Sequence, residues 1–302
     1  MVVEKRPTAF LNKLTLISYY LWTVHFKYNA TTNQFEKNKL WGNIKFILSL
    51  LPSVLYLKIL VTNFRIQFTS NIKFFLESGL LLYLYAVIIL VLITLLSNKI
   101  TEQQNLLVLN RLNEVYLNLP HFKNRQCWKE QVAKIMILME IVYRFLVIVY
   151  RIFIEHPHTH FSLAVFMSSL LSYGVIFYFT IVIIVYEARF LFSGLVIAKY
   201  FRALNKRMYC CCNEKEINAV MKQHHNLHEL TRLFNKTFSV FLLSYNGFYF
   251  VTLLLRIMSL YCNIRVNKES SANVEIIGLC FSALKLGWII TVSNDCTFEV
   301  YV

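Results

Sequence analysis

Six long apolar stretches, at residues 40–64, 74–97, 132–154, 161–186, 238–261 and 274–293, limit what this chain can fold into. Each is long enough to cross a bilayer as a helix, which takes about 20 residues. Lipid offers no hydrogen bonds, so a spanning backbone must satisfy itself as helices or as a closed barrel. A barrel would show alternating segments of about ten residues, whereas these runs are continuous and only 7 Gly and 4 Pro interrupt the chain. Charged residues make up 16%, against about 25% in soluble domains. The predicted fold class is therefore all-α, a polytopic membrane helical bundle forming one domain over residues 1–302.

Lys and Arg flank these spans unevenly. With the N-terminus inside, the outer loops hold only Arg65, Lys73, Arg265 and Lys268. The connections on the other side carry most of the remaining basic residues, among them Lys99, Arg111, Lys123, Arg125, Lys199, Arg202, Lys206, Arg207, Lys215 and Lys222. Basic residues near span ends stay in the cytoplasm during insertion, which predicts a cytoplasmic N-terminus. That orientation argues against a G-protein-coupled receptor, whose N-terminus lies outside. A further stretch, 10–26, is broken by Asn12, Lys13, Thr15 and His25 and reads as an interfacial or packed amphipathic helix.

Two inner connections are long and helical in pattern. Leu106, Leu109, Leu112, Val115, Tyr116 and Leu119 form one apolar stripe, and Ile217, Val220, Leu227, Leu230 and Phe234 form another. The fourth span runs on without a Gly or Pro stop through Glu187, Arg189, Lys199 and Arg202. The expected picture is a set of helices that extend into the cytoplasm and pack there.

Directly ahead of the fifth span stands His-Asn-Leu-His-Glu-Leu-Thr-Arg-Leu-Phe-Asn-Lys-Thr-Phe-Ser, from His225 to Ser239. Through His225, Leu230, Asn235, Phe238 and Ser239 it resembles the insect gustatory receptor family, in the insect chemoreceptor superfamily. Short outer loops, Trp288 in the sixth span and helices rich in Tyr and Phe agree with that likeness across the chain. The resemblance implies a ligand-gated, non-selective cation channel in the plasma membrane of sensory neurons, built as a homo- or hetero-tetramer of seven-helix subunits. In that family the seventh helix carries a Thr-Tyr…Gln-Phe signature and lines the pore. Here no such signature occurs and six of the expected seven spans are present, so a non-conducting truncated relic is one alternative reading and a secondary transporter another.

Ionisable residues inside spans are costly and mark function by default. Lys45, Lys134 and Glu275 lie near span ends and can snorkel, and Glu140 with Arg144 has the spacing of an intrahelical pair. Glu77, Arg151, Arg256 and Lys285 are expected in the outer half, lining a ligand pocket. Tyr83, Tyr150, Tyr173 and Tyr249 are the aromatic candidates for the same pocket, offering ring surface and hydroxyls to a small-molecule tastant such as a bitter compound or a sugar.

His224 and His228 have a zinc-chelating spacing, but no Cys or carboxylate is placed to complete a tetrahedral set. No metal and no cofactor is expected. No phosphate-cradling glycine loop, paired-carboxylate or Ser-His-Asp arrangement is supported by spacing, so an enzyme is not predicted. The net charge of +15 follows from the positive-inside rule, which points to anionic membrane lipid as a partner and away from nucleic acid.

Overall fold

The computed structural model describes residues 9–21, 23–24, 26–29, 31–32, 34–37, 39–64, 71–117, 128–153, 163–210, 213–265 and 269–301. Eight helices are present among the described residues: α1 (Ala9–Tyr20), α2 (Lys39–Phe64), α3 (Asn71–Ile100), α4 (Glu102–Leu117), α5 (Trp128–Phe153), α6 (Leu163–Cys210), α7 (Glu214–Arg265) and α8 (Glu269–Tyr301). The protein is an all-α membrane bundle. Four helices contain stretches long and apolar enough to cross a bilayer, Leu82–Ile100, Leu171–Cys210, Glu214–Arg265 and Ala272–Val292. Helix α5 is less apolar because Lys134, Glu140 and Arg144 fall within its middle.

Helix α6, with 48 residues, is about 72 Å long at 1.5 Å per residue. A hydrocarbon core is only about 30 Å thick, so α6 projects far beyond it, as does α7 with 52 residues. From Val182 to Ala198 every residue of α6 is buried. A helix apolar on all sides must be enclosed by others, and α1, α2, α3, α5, α7 and α8 all pack on α6.

The two predicted inner stripes pack as helices. Helix α4 buries Val108, Leu109 and Leu112 and packs on α7, which buries Val220, Leu227, Leu230 and Phe234. Ile217, expected in the second stripe, is 36% exposed, because it lies in the first turn of α7 beyond the packed part. The first helix, α1, is a packed one: Leu11, Leu14, Thr15 and Ser18 are buried, and the helix lies along α6.

The all-α expectation missed one element, a hairpin of β1 (Phe26–Asn29) and β2 (Gln34–Lys37), paired antiparallel. Its turn is local chemistry. The Asn29 carboxamide oxygen accepts from the Thr31 amide at 3.0 Å and from the Thr31 hydroxyl at 2.6 Å, a side-chain turn of the kind asparagine favours. The Thr32 hydroxyl and the Asn29 amide both donate to Glu36, holding its carboxyl below the usual glutamate range. Phe26 and Phe35 are buried beneath the strands in edge-to-face contact.

Asn110 on α4 clips the hairpin down: its oxygen accepts from the Phe35 amide at 2.7 Å and its NH2 donates to the Phe35 carbonyl at 3.2 Å. Removing it strands two backbone groups of a buried residue, a cost of about 1–3 kcal/mol. Asn110→Ala is therefore expected to raise hydrogen–deuterium exchange in residues 26–37 by roughly tenfold, since 1.4 kcal/mol is a factor of ten. Unchanged exchange would show that the clip does not hold the hairpin.

Candidate functional site

Near mid-length of the bundle, acidic and basic side chains from different helices meet away from water. The Lys285 ammonium on α8 lies between two carboxylates, Glu140 of α5 and Glu187 of α6, the second at 2.5 Å. Lys285 is 5% exposed and the two glutamates 3% each. Glu187 also accepts from the Tyr245 hydroxyl of α7 at 2.5 Å. On the other side, Glu140 faces the Arg144 guanidinium at 3.9 Å, and Arg144 donates to the Tyr83 hydroxyl of α3 at 2.9 Å. Tyr83, Arg144, Glu140, Lys285, Glu187 and Tyr245 thus form one polar chain across α3, α5, α8, α6 and α7.

Two positive and two negative charges make the chain formally neutral, which is what permits it in a low-dielectric interior. Aromatic rings line it. The Lys285 ammonium stands 5.2 Å from the Tyr249 ring and 5.6 Å from the Tyr245 ring, in range of cation–π attraction. Tyr249 packs on Tyr245, and Phe248 on Tyr83, at centroid distances of 4.6 and 6.1 Å.

A second ion pair joins the C-terminal part of α7 to the N-terminal part of α8. Arg256 reaches Glu275 at 3.2 Å, and the Ser259 hydroxyl donates to the same carboxylate at 3.3 Å. Gly278 makes the room. A Cβ there would lie 1.8 Å from Arg256 Nη1 and 2.7 Å from the Tyr143 hydroxyl.

The model of the 7tm chemosensory receptor family matches residues 11–299. The chain belongs to that family. Among curated proteins, none matches it. As a chemosensory receptor the protein responds to small molecules, and its family is one of receptors and not of enzymes.

In this receptor the residues singled out from sequence separate into groups. Tyr83, Tyr249 and Lys285 come together around the ionic chain, whereas Arg256 lies in the second pair with Glu275 and Tyr173 stands beside Tyr56. Lys285 was expected in the outer half. The structure joins it to Glu187, one residue past the predicted end of the fourth span. The snorkelling assigned to Glu275 gives way to its pair with Arg256, and Lys45 lies 3.4 Å over the Tyr19 ring. The Glu140–Arg144 pair expected within α5 is the looser of the contacts of Glu140. The side chains of Glu77, Tyr150 and Arg151 lie outside the described residues.

Sequence reading missed Glu187 and Tyr245. Glu187 was counted only as part of a helix running into the cytoplasm; its signal was that it is the lone carboxylate of a long, mostly apolar helix. In the motif before the fifth span, Leu230 and Phe238 are buried, and Phe238 packs on Tyr186 and Phe190 at 5.4 and 5.6 Å. His225, Asn235 and Ser239 are exposed, so within the chain the motif packs through the apolar pair alone. His224 meets the Phe201 ring edge-on at 5.1 Å, and no group of three His, Cys, Asp or Glu among the described residues is placed to hold a metal.

Lys285→Met leaves two buried carboxylates without their cation and is expected to cost about 3–5 kcal/mol. Glu140→Gln retains the Lys285–Glu187 pair and should cost markedly less. Thermal unfolding of the detergent-solubilised receptor reads both, and equal or reversed losses would contradict the shared role of Lys285. Gly278→Ala is expected to push the Arg256 guanidinium off Glu275. A double-mutant cycle with Arg256→Gln should then return a coupling of about 1 kcal/mol, and strict additivity would show that the guanidinium does not need that space.

Proposed function

We propose that this chemosensory receptor is a gustatory one, a subunit of a ligand-gated, non-selective cation channel that detects tastants such as bitter compounds or sugars. It sits in the plasma membrane of sensory neurons with its N-terminus cytoplasmic, crosses six times through α2, α3, α5, α6, α7 and α8, and assembles as a homo- or hetero-tetramer. The resemblance of His225–Ser239 to gustatory receptors supports the taste assignment. The observation that carries the mechanism is the ionic chain, because it makes five helices a single mechanical unit.

A tastant can change conformation only by binding one arrangement of the helices more tightly than the other. We assign Glu77, Tyr83, Tyr150, Arg151 and Tyr173 as the candidates that meet it, from their expected outer position in the sequence. Tyr83 is also one end of the ionic chain, so a ligand that engages its hydroxyl competes with Arg144. Tyr249, Arg256 and Lys285 then serve as the couplers that carry the shift between α7 and α8. The helices of the proposed core run on for up to 52 residues, unlike the paired, broken helices that form transporter sites.

Whole-cell recording from cells expressing the receptor, alone and with other gustatory subunits, tests this reading. Tastants are expected to evoke an inward current carried by Na+ and K+ alike. Tyr173→Ala should raise the half-maximal tastant concentration about tenfold, equivalent to 1.4 kcal/mol, with the maximal current retained. Broad tastant panels that never evoke current, or substrate uptake without current, would overturn the channel assignment.

A further inference from the structure

The ionic chain is balanced, but two residues further along α6 stands a cation that is not. Arg189 is 1% exposed and has no carboxylate within ion-pair distance among the described residues. Its guanidinium lies 5.8 Å from the Phe26 ring and 5.6 Å from the Tyr186 ring, while Nε and Nη1 are buried and make no hydrogen bond among the described residues. A buried charge without a partner costs several kcal/mol, so a folded chain that keeps it there needs a compensating negative charge.

Polar groups on the neighbouring stretch of α3 and α4 are also buried without a partner among the described residues. Ser97 and Asn105 stand beside the Tyr186 hydroxyl without closing a hydrogen bond to it. The Tyr186 hydroxyl, the Ser97 hydroxyl and both polar atoms of Asn98 are buried and unbonded among the described residues. The backbone is continuous through this stretch. Helices α3 and α4 are joined through Thr101 with i to i−4 hydrogen bonds on both sides, from Thr101 to Ser97 and from Asn105 to Thr101. Residues 98, 102 and 105, spaced four and three apart, therefore share one face. The one carboxylate on that face, Glu102, is held through Oε2 by Lys37 at 2.9 Å and Lys99 at 3.5 Å, while its Oε1 is buried and unbonded among the described residues.

We propose that Arg189 anchors a buried site for a small monovalent inorganic anion, chloride in the cell, completed by the hydroxyls of Tyr186 and Ser97 and the amide of Asn98. Every group named except the Asn98 carbonyl oxygen is a donor or can act as one. The enclosure excludes a bulky organic anion, since Arg189, Tyr186 and Asn98 have at most 5% of their surface exposed. Arg189 lies 26 residues from the start of α6, about 39 Å along the helix. That is past a hydrocarbon core of about 30 Å and within reach of cytoplasmic ions. The bound anion joins the α3–α4 junction, the hairpin's Phe26 and α6 at one point. This site stands apart from the proposed tastant pocket, and only its access to cytoplasmic ions rests on the orientation proposed above.

The experiment follows thermal unfolding of the full-length receptor in detergent while gluconate is replaced stepwise by chloride at constant ionic strength. A ligand that binds only the folded state stabilises it by mass action, so Tm is expected to rise with chloride and saturate. Arg189→Gln should abolish the rise. Tyr186→Phe, which keeps the ring and removes one hydroxyl, should move the midpoint to about fivefold higher chloride, the equivalent of one hydrogen bond near 1 kcal/mol. The Tyr186→Phe titration decides the matter should Arg189→Gln fail to fold. A flat wild-type profile, as a water-filled site would give, or a midpoint unmoved in Tyr186→Phe would overturn the proposal.

Discussion

The structure depends on one ammonium group held between two carboxylates. Lys285 contributes the only positive charge that touches both Glu140 and Glu187 among the described residues, and without it α5 and α6 would present two anions to each other in a low-dielectric interior. The electrostatics set register as well as contact. Apolar helix faces slide past one another at small cost, since leucine finds leucine one turn up or down, but a Lys285 displaced by one turn, about 5.4 Å, leaves both partners behind. The ionic chain therefore fixes the heights of α5, α6, α7 and α8, while the aromatic contacts fill the space around it.

Those aromatics form a second, less specific layer. From Phe234 through Phe238, Phe241, Tyr245 and Tyr249, one face of α7 carries a ring at nearly every turn, and the rings pack on Tyr186 and Phe190 of α6 and on each other. Spacings of three and four keep these rings on one side of the helix. The polar handles of the tyrosines are then used where charge is present: Tyr245 on Glu187 and Tyr83 on Arg144. Phe occupies the N-terminal end of the same face, where it packs on Tyr186 and Phe190 of α6.

The long helices and the packed inner stripes were legible because both rest on local patterns, continuous apolarity and a repeat near 3.6 residues. The hairpin was not, since Phe26–Asn29 and Gln34–Lys37 are too short for an alternation to stand out, and the turn asparagine is informative only once a pairing is known. The ionic chain was half legible. Lys285, Tyr83 and Tyr249 drew attention as polar groups in apolar runs, yet spacing pairs residues only within a helix, so Glu140 was joined to Arg144 while its closer partner lies 145 positions away. The Arg256–Glu275 pair went unseen for the same reason: each looked solitary on its own helix.

Helix α6 carries the consequence of these arrangements. Glu187 and Arg189 are two positions apart, about 200° around the helix axis, and so face opposite sides of a segment enclosed on all of them. Glu187 ties that segment to α5's partner Lys285 and to α7, and Arg189 faces Tyr186 and Phe26 of the hairpin. A rotation of α6 that eases one attachment must strain the other, because the two lie on opposite faces of one rigid rod. Enclosed helices of this kind move between discrete packings and not by continuous drift. In the orientation we propose, a signal received among the outer rings reaches the cytoplasmic half as a concerted exchange of these two attachments, with α6 as the element both sites bias.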